Sequence, residues 1–226
     1  MLGFFDFSRE RIMGILLMIP IMLIALPVHE MAHAWVAHKL GDPTARNFGR
    51  LSLNPMKHFD PLGFLCMLFF RIGWAKPVPI NARNFKKPRR DMALSALAGP
   101  VSNLLLGFLG VLLLNIAELI FFNLGAVSEK TLMIMDVTAI FFYLFAITNI
   151  NLAIFNFIPI PPFDGSRILY VFLPTKLYFG VMKYERYIMI AILVLFWTGT
   201  LTGPLSFLSG LMLNGMDKLI HLIPIF

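Results

Sequence analysis

The chain has 226 residues, 58% hydrophobic and only 14% charged, with a formal net charge of +7; its mean hydropathy is +0.80 and its pI about 9.8. Soluble domains run nearer half apolar and a quarter charged, so the composition excludes an ordinary soluble globule and points to an all-helical protein of the lipid bilayer. The basic balance is not a nucleic-acid signal, because lysine and arginine cluster in loops between apolar runs, as they do in loops facing cytosol and anionic lipid, and the lone Cys66 excludes an intrachain disulfide.

The N-terminal MLGFFDFSRERIMGILLMIP lacks a small-residue cleavage site and leads straight into a helix, so it does not read as a signal peptide. Five apolar stretches are long enough, or nearly so, to cross a hydrocarbon core needing about 20 residues. The first covers residues 12–40 and stops at Gly41-Asp42-Pro43. After it come the weakly alternating RNFGRLSL, the short apolar PLGFLCMLFFRIG and the proline-punctuated GWAKPVPIN. This region reads as one or two β-hairpins plus a short or re-entrant helix, since non-helical backbone near a bilayer survives only against protein or a water-filled cavity. The second stretch, residues 92–122, would span roughly 46 Å as a helix. The third is 132–158, and the fourth (188–201) and fifth (205–225) are separated at Thr202-Gly203-Pro204. The expected fold is an all-α polytopic membrane protein with about 5–6 transmembrane helices and a small membrane-associated β-hairpin region. It would be one domain over residues 1–226, with its core at about 12–167 and C-terminal helices at about 168–226.

Loop charge orients this chain. Residues 76–90 carry Lys76, Arg83, Lys86, Lys87, Arg89 and Arg90, and the segment after Asp164 carries Arg167, Lys176, Lys183 and Arg186. The loop at 123–131 sets Lys130 against Glu129. The first two read as cytoplasmic and the third as external in a multi-pass cell-membrane protein.

The first stretch contains LPVHEMAH, which fits H-E-x-x-H. Ionisable groups at membrane depth are costly and read as functional. On a helix, residues four apart share one face, so His29 and His33 can bind one zinc ion, and Glu30 stands beside the metal to polarise a water. A catalytic zinc needs a third protein ligand and an open position. Glu118, Asp136 and Asp164 are the acidic candidates near membrane depth. Asp164 stands out within NFIPIPPFDG, where Pro159, Pro161 and Pro162 prohibit regular helix and Gly165 permits a tight turn. Depth agrees: His29 lies roughly 27 Å along a helix from Arg11, and Asp164 follows a stretch of similar length. If both helices run inward, the two meet near the cytoplasmic face, with an external N-terminus despite Arg9 and Arg11.

Together, HEMAH, AGPVSN and NFIPIPPFDG resemble the site-2 protease family of intramembrane zinc metalloproteases, over roughly residues 12–167 and in its compact branch without a PDZ or regulatory domain. The resemblance implies one Zn2+ per chain on His29, His33 and Asp164, with Glu30 as catalytic base. It implies that Asn156 binds substrate backbone or the oxyanion, that Gly99, Pro100 and Asn103 face the site, and that the hairpin around residues 74–80 holds substrate as an added strand. The partners implied are membrane proteins with a transmembrane segment. Asn149 and Asn151 read as interhelical hydrogen-bonding residues, and His38 and His58 as interfacial. A catalytically silent scaffold or chaperone of the same fold would lack a catalytic group, and none is missing. A metal transporter would want polar residues along a path through the bilayer, whereas here they gather at one depth.

Overall fold

The computed structural model describes residues 9–70, 73–124 and 128–223. The first apolar stretch forms one helix, α1 (Arg9–Lys39), with Pro20 and Pro27 inside it. A proline removes one backbone donor, a loss that neighbouring helices can make good in a membrane protein. The helix closes where the Gly41 N–H reaches the His38 carbonyl and the Asp42 N–H reaches the Ala37 carbonyl, at 3.1 and 2.9 Å, the paired bonds of a Schellman ending. Three short helices follow: α2 (Thr44–Asn47), α3 (Pro55–His58) and α4 (Pro61–Phe70). An irregular segment and a 3-10 turn at Ala82–Asn84 lead into α5 (Pro88–Asn123), and then come α6 (Glu129–Phe157), α7 (Asp164–Leu169), α8 (Thr175–Met182), α9 (Glu185–Trp197) and α10 (Thr202–Ile220).

Side-chain pairs fix how the long helices run. His29 meets Asn103 and His33 meets Ser95, so residue numbers rise in opposite directions along α1 and α5. Asn103 meets Asn149, and Gly110 lies against Ala146, so α5 also opposes α6. Helices α1 and α6 are therefore parallel. A Cβ on Gly110 would stand 2.9 Å from the Ala146 Cα; the absent side chain lets the two backbones approach, as small residues do between membrane helices. Val111, Ala146 and Ile220 form a buried cluster that seats α10 on the same pair, and Asn115 donates to Asp217 across it at 3.0 Å.

Two expectations need correction. Among the described residues, three helices are long and apolar enough to cross a membrane, at Ile12–Lys39, Pro88–Asn123 and Glu129–Phe157, rather than five or six. Helix α9 has 13 residues, about 20 Å against a core of about 30 Å, and α10 has the length but carries Asn214, Asp217 and Lys218. The expected β-hairpin is absent, because no described residue lies in a strand. RNFGRLSL instead runs through α2 into a turn at Gly49, with φ of +63. GWAKPVPIN has no regular secondary structure: Pro77 and Pro79 have no N–H to give one edge of a ladder, and on the other edge the N–H groups of Lys76 and Val78 bind the His58 carbonyl and a side chain described below. Arg71 and Ile72 of the short apolar stretch, residues 125–127 of the loop expected to be external and Ile225 lie outside the described residues.

Candidate metal centre

One helical turn separates His29 from His33, so both rings project from one face of α1. Their Nε2 atoms stand 3.0 Å apart. Asp164 Oδ2 lies 3.2 Å from the first and 3.1 Å from the second. All three residues are buried, and among the described residues they form the group whose ligand atoms converge tightly enough to hold a metal ion. The carboxylate arrives there because the prolines end α6 and Gly165 lets α7 start against it. A Cβ on Gly165 would fall 2.4 Å from the Ile158 carbonyl oxygen and 2.5 Å from that of Phe157.

Hydrogen bonds behind the rings fix where the protons sit. The Phe145 carbonyl can only accept, so it takes an N–H from the Asn149 amide at 2.8 Å. That turns Asn149 Oδ1 toward the Asn103 amide nitrogen, 2.9 Å away, which in turn points Asn103 Oδ1 at His29 Nδ1. His29 Nδ1 therefore donates, and in a neutral ring Nε2 keeps its lone pair. His33 reaches the same state more directly, since Nδ1 donates to the Ser95 carbonyl at 2.7 Å. With both rings neutral, the two Nε2 lone pairs and a carboxylate oxygen face one another. Such a set is repulsive when empty and is relieved by a cation. Two imidazoles and a carboxylate are a donor set suited to zinc, with room for a fourth position. Gly99 completes the cradle: a Cβ there would fall 2.4 Å from His33 Nε2 and 2.6 Å from His29 Cε1.

Glu30, next in sequence to His29, is buried and is not one of the converging ligands. Its Oε2 accepts the Val78 N–H at 2.8 Å. Asn103 is fully buried and is occupied between His29 and Asn149, so it faces a candidate ligand from behind rather than a substrate. Asn156 is half-buried, donates to the Leu152 carbonyl one turn back at 2.9 Å and is not part of the converging group. Glu118 and Asp136 do not join that group, and neither do His38 and His58; the His58 ring bonds the Ser52 carbonyl at 2.8 Å. Sequence reasoning missed Ser95, Val78 and Arg50. Ser95 was within reach, because positions 95, 99 and 103 repeat at four-residue spacing on one face of α5.

The sequence profile of peptidase family M50 matches residues 17–196. The chain is 40% identical over 203 residues to "Putative zinc metalloprotease YwhC" of Bacillus subtilis (strain 168), covering 89% of this chain and 88% of that protein. It is 29% identical over 188 residues to "Putative zinc metalloprotease Rip2" of Mycobacterium tuberculosis (strain ATCC 25618 / H37Rv), covering 80% of this chain and 66% of that one. It is 27% identical over 151 residues to the protein of the same name from Mycolicibacterium smegmatis, covering 65% and 53%. No solved structure matches the chain with significance. The chain belongs to peptidase family M50, the site-2 protease family, whose members are membrane metalloproteases.

Proposed function

We propose that this member of peptidase family M50 hydrolyses peptide bonds within or beside a transmembrane segment of membrane-protein substrates, with one zinc on His29, His33 and Asp164 and with Glu30 as general base. The observation that carries this reading is the convergence of three lone-pair-bearing atoms at about 3 Å, one residue from a buried carboxylate that is not itself a ligand. Zinc bound by such a set supplies Lewis acidity toward a carbonyl and acidifies water to a pKa of about 7. The chain's own part is proton traffic and orientation. Glu30 takes a proton from the attacking water and returns it to the leaving nitrogen. Asn103 and Ser95 hold the two imidazoles in the tautomer that turns Nε2 toward Asp164. Gly99 leaves room for both rings. Asn156, in the last turn of α6, is the residue we assign to the substrate backbone.

The site is assigned to the cytoplasmic side of the plasma membrane. Helices α1 and α6 run parallel, the candidate ligands lie toward their C-terminal ends, and the basic segments 76–90 and 167–186 flank the site in sequence. The test is metal analysis beside cleavage of a panel of single-span membrane proteins in detergent. About one zinc per chain, lost in His33→Ala together with cleavage, is the expected outcome. Full retention of zinc in His33→Ala would overturn the ligand assignment.

A further inference from the structure

The segment 75–81, AKPVPIN, has an unusual backbone. Pro77 and Pro79 carry no N–H, so between Lys76 and Ile80 the single amide donor is that of Val78. That donor binds Glu30 Oε2 in a buried hydrogen bond of 2.8 Å. The segment is fastened on both sides of this contact. The Lys76 N–H donates to the His58 carbonyl at 2.9 Å. The Arg50 guanidinium, nine-tenths buried, donates through Nη2 to the Lys76 carbonyl and, at 3.3 Å, to that of Pro77. Downstream, the Asn81 N–H donates to Asp42 Oδ2 at 2.7 Å. Val78 itself is packed with Ala34 and Ala45, with Leu51 and Ile80 against them.

We infer that this segment is a fixed clamp on Glu30, and that Arg50 is the positioning residue that holds it. The clamp divides the labour of the two carboxylate oxygens. Oε2 is committed to the Val78 amide, which leaves Oε1 as the oxygen that exchanges the proton with water. A carboxylate on a helix can otherwise rotate about its side-chain torsions, and a misplacement of about 1 Å can cost about 10²-fold in rate. Arg50 touches neither Glu30 nor the three candidate ligands in this arrangement. It acts through two carbonyl groups, those of the peptide bonds on either side of Pro77. The inference rests on the proposed role of Glu30.

The test uses the full-length protein in detergent, with one single-span substrate chosen from the panel. Arg50→Ala should lower kcat about 10²-fold with KM and zinc content unchanged. Arg50→Lys should recover to within about tenfold of the wild type, since Arg50 reaches both carbonyls through one nitrogen and an ammonium carries three donors on its own nitrogen. Val78→Pro, which deletes the donor, should reproduce the kcat loss with zinc retained. Hydrogen exchange gives a readout independent of turnover. A peptide covering 75–81 has few exchangeable amides, and protection at Val78 in the wild type should fall at least about tenfold in Arg50→Ala. Normal kcat in Arg50→Ala, or a rise in KM alone, or loss of zinc, would overturn the inference. If Glu30→Gln is inactive while Arg50→Ala is normal, only the clamp fails. If Glu30→Gln cleaves normally, the proposed base and the clamp fail together.

Discussion

At the scale of the residue, the candidate ligands could be read from the sequence because each carries its chemistry in its side chain. His29 and His33 repeat at helical spacing, and Asp164 is isolated by three prolines and a glycine. Two of the residues that were missed contribute backbone atoms: Ser95 offers a carbonyl to His33 and Val78 an N–H to Glu30, and any residue type could supply the first and any but proline the second. The third, Arg50, works through its guanidinium on carbonyls far away in sequence. Asn103 was legible as a candidate facing the histidines but not in what it bonds, since only the anchored chain from Phe145 through Asn149 shows which way its amide points. That chain makes a quantitative prediction. Asn103→Ala frees the His29 ring to rotate or change tautomer, and loss of such an outer partner typically weakens metal affinity 10–100-fold. Zinc competition against a chelator should register that drop, and wild-type affinity would show that the ring is held by other means.

At the scale of the element, proline changed the outcome most. Residues 73–81 have the extended character expected of strands, and the structure gives them no regular secondary structure. A ladder needs a run of free N–H groups; Pro77 and Pro79 have none, and those of Lys76, Val78 and Asn81 are taken by His58, Glu30 and Asp42. The same segment ends on Asp42, the residue that closes α1. Its carboxylate accepts from the Thr44 hydroxyl, the Asn84 amide and the backbone N–H groups of Asn81 and Thr44. Burial alone would raise the Asp42 pKa, but these donors outweigh it and hold the carboxyl below its ordinary value. A depressed folded-state pKa gives stability that is present above the unfolded value of about 4 and is lost as pH falls through the folded value. Thermal unfolding in detergent between about pH 6 and pH 2 should therefore show wild type losing stability on acidification below about pH 4, with Asp42→Asn flatter through that window. Parallel curves for the two proteins would contradict the network.

At the scale of the whole molecule, the long helices followed from length and hydropathy, but the number of crossings did not. Apolar composition alone cannot separate a span from a helix that packs on others, and α10 shows why: Ile220 is buried against Val111 and Ala146 while Asp217 pairs with Asn115. Orientation rests on the lysine and arginine imbalance. Single cysteines at Lys87 and Glu129, in a Cys66→Ala background, should label from opposite faces of the membrane, and labelling from one face would overturn the assigned side of the site. The central claim, a metal site with a separate base, is tested most directly by Glu30→Gln, compared with the wild type for zinc content and for turnover of one membrane substrate at matched helicity. Glutamine keeps the shape of the side chain and cannot take the water's proton, and loss of a general base typically costs 10²–10⁴-fold. About one zinc per chain with turnover down by at least about 10²-fold is the expected result; near-normal turnover, or loss of the zinc, would contradict a metal site with a separate base.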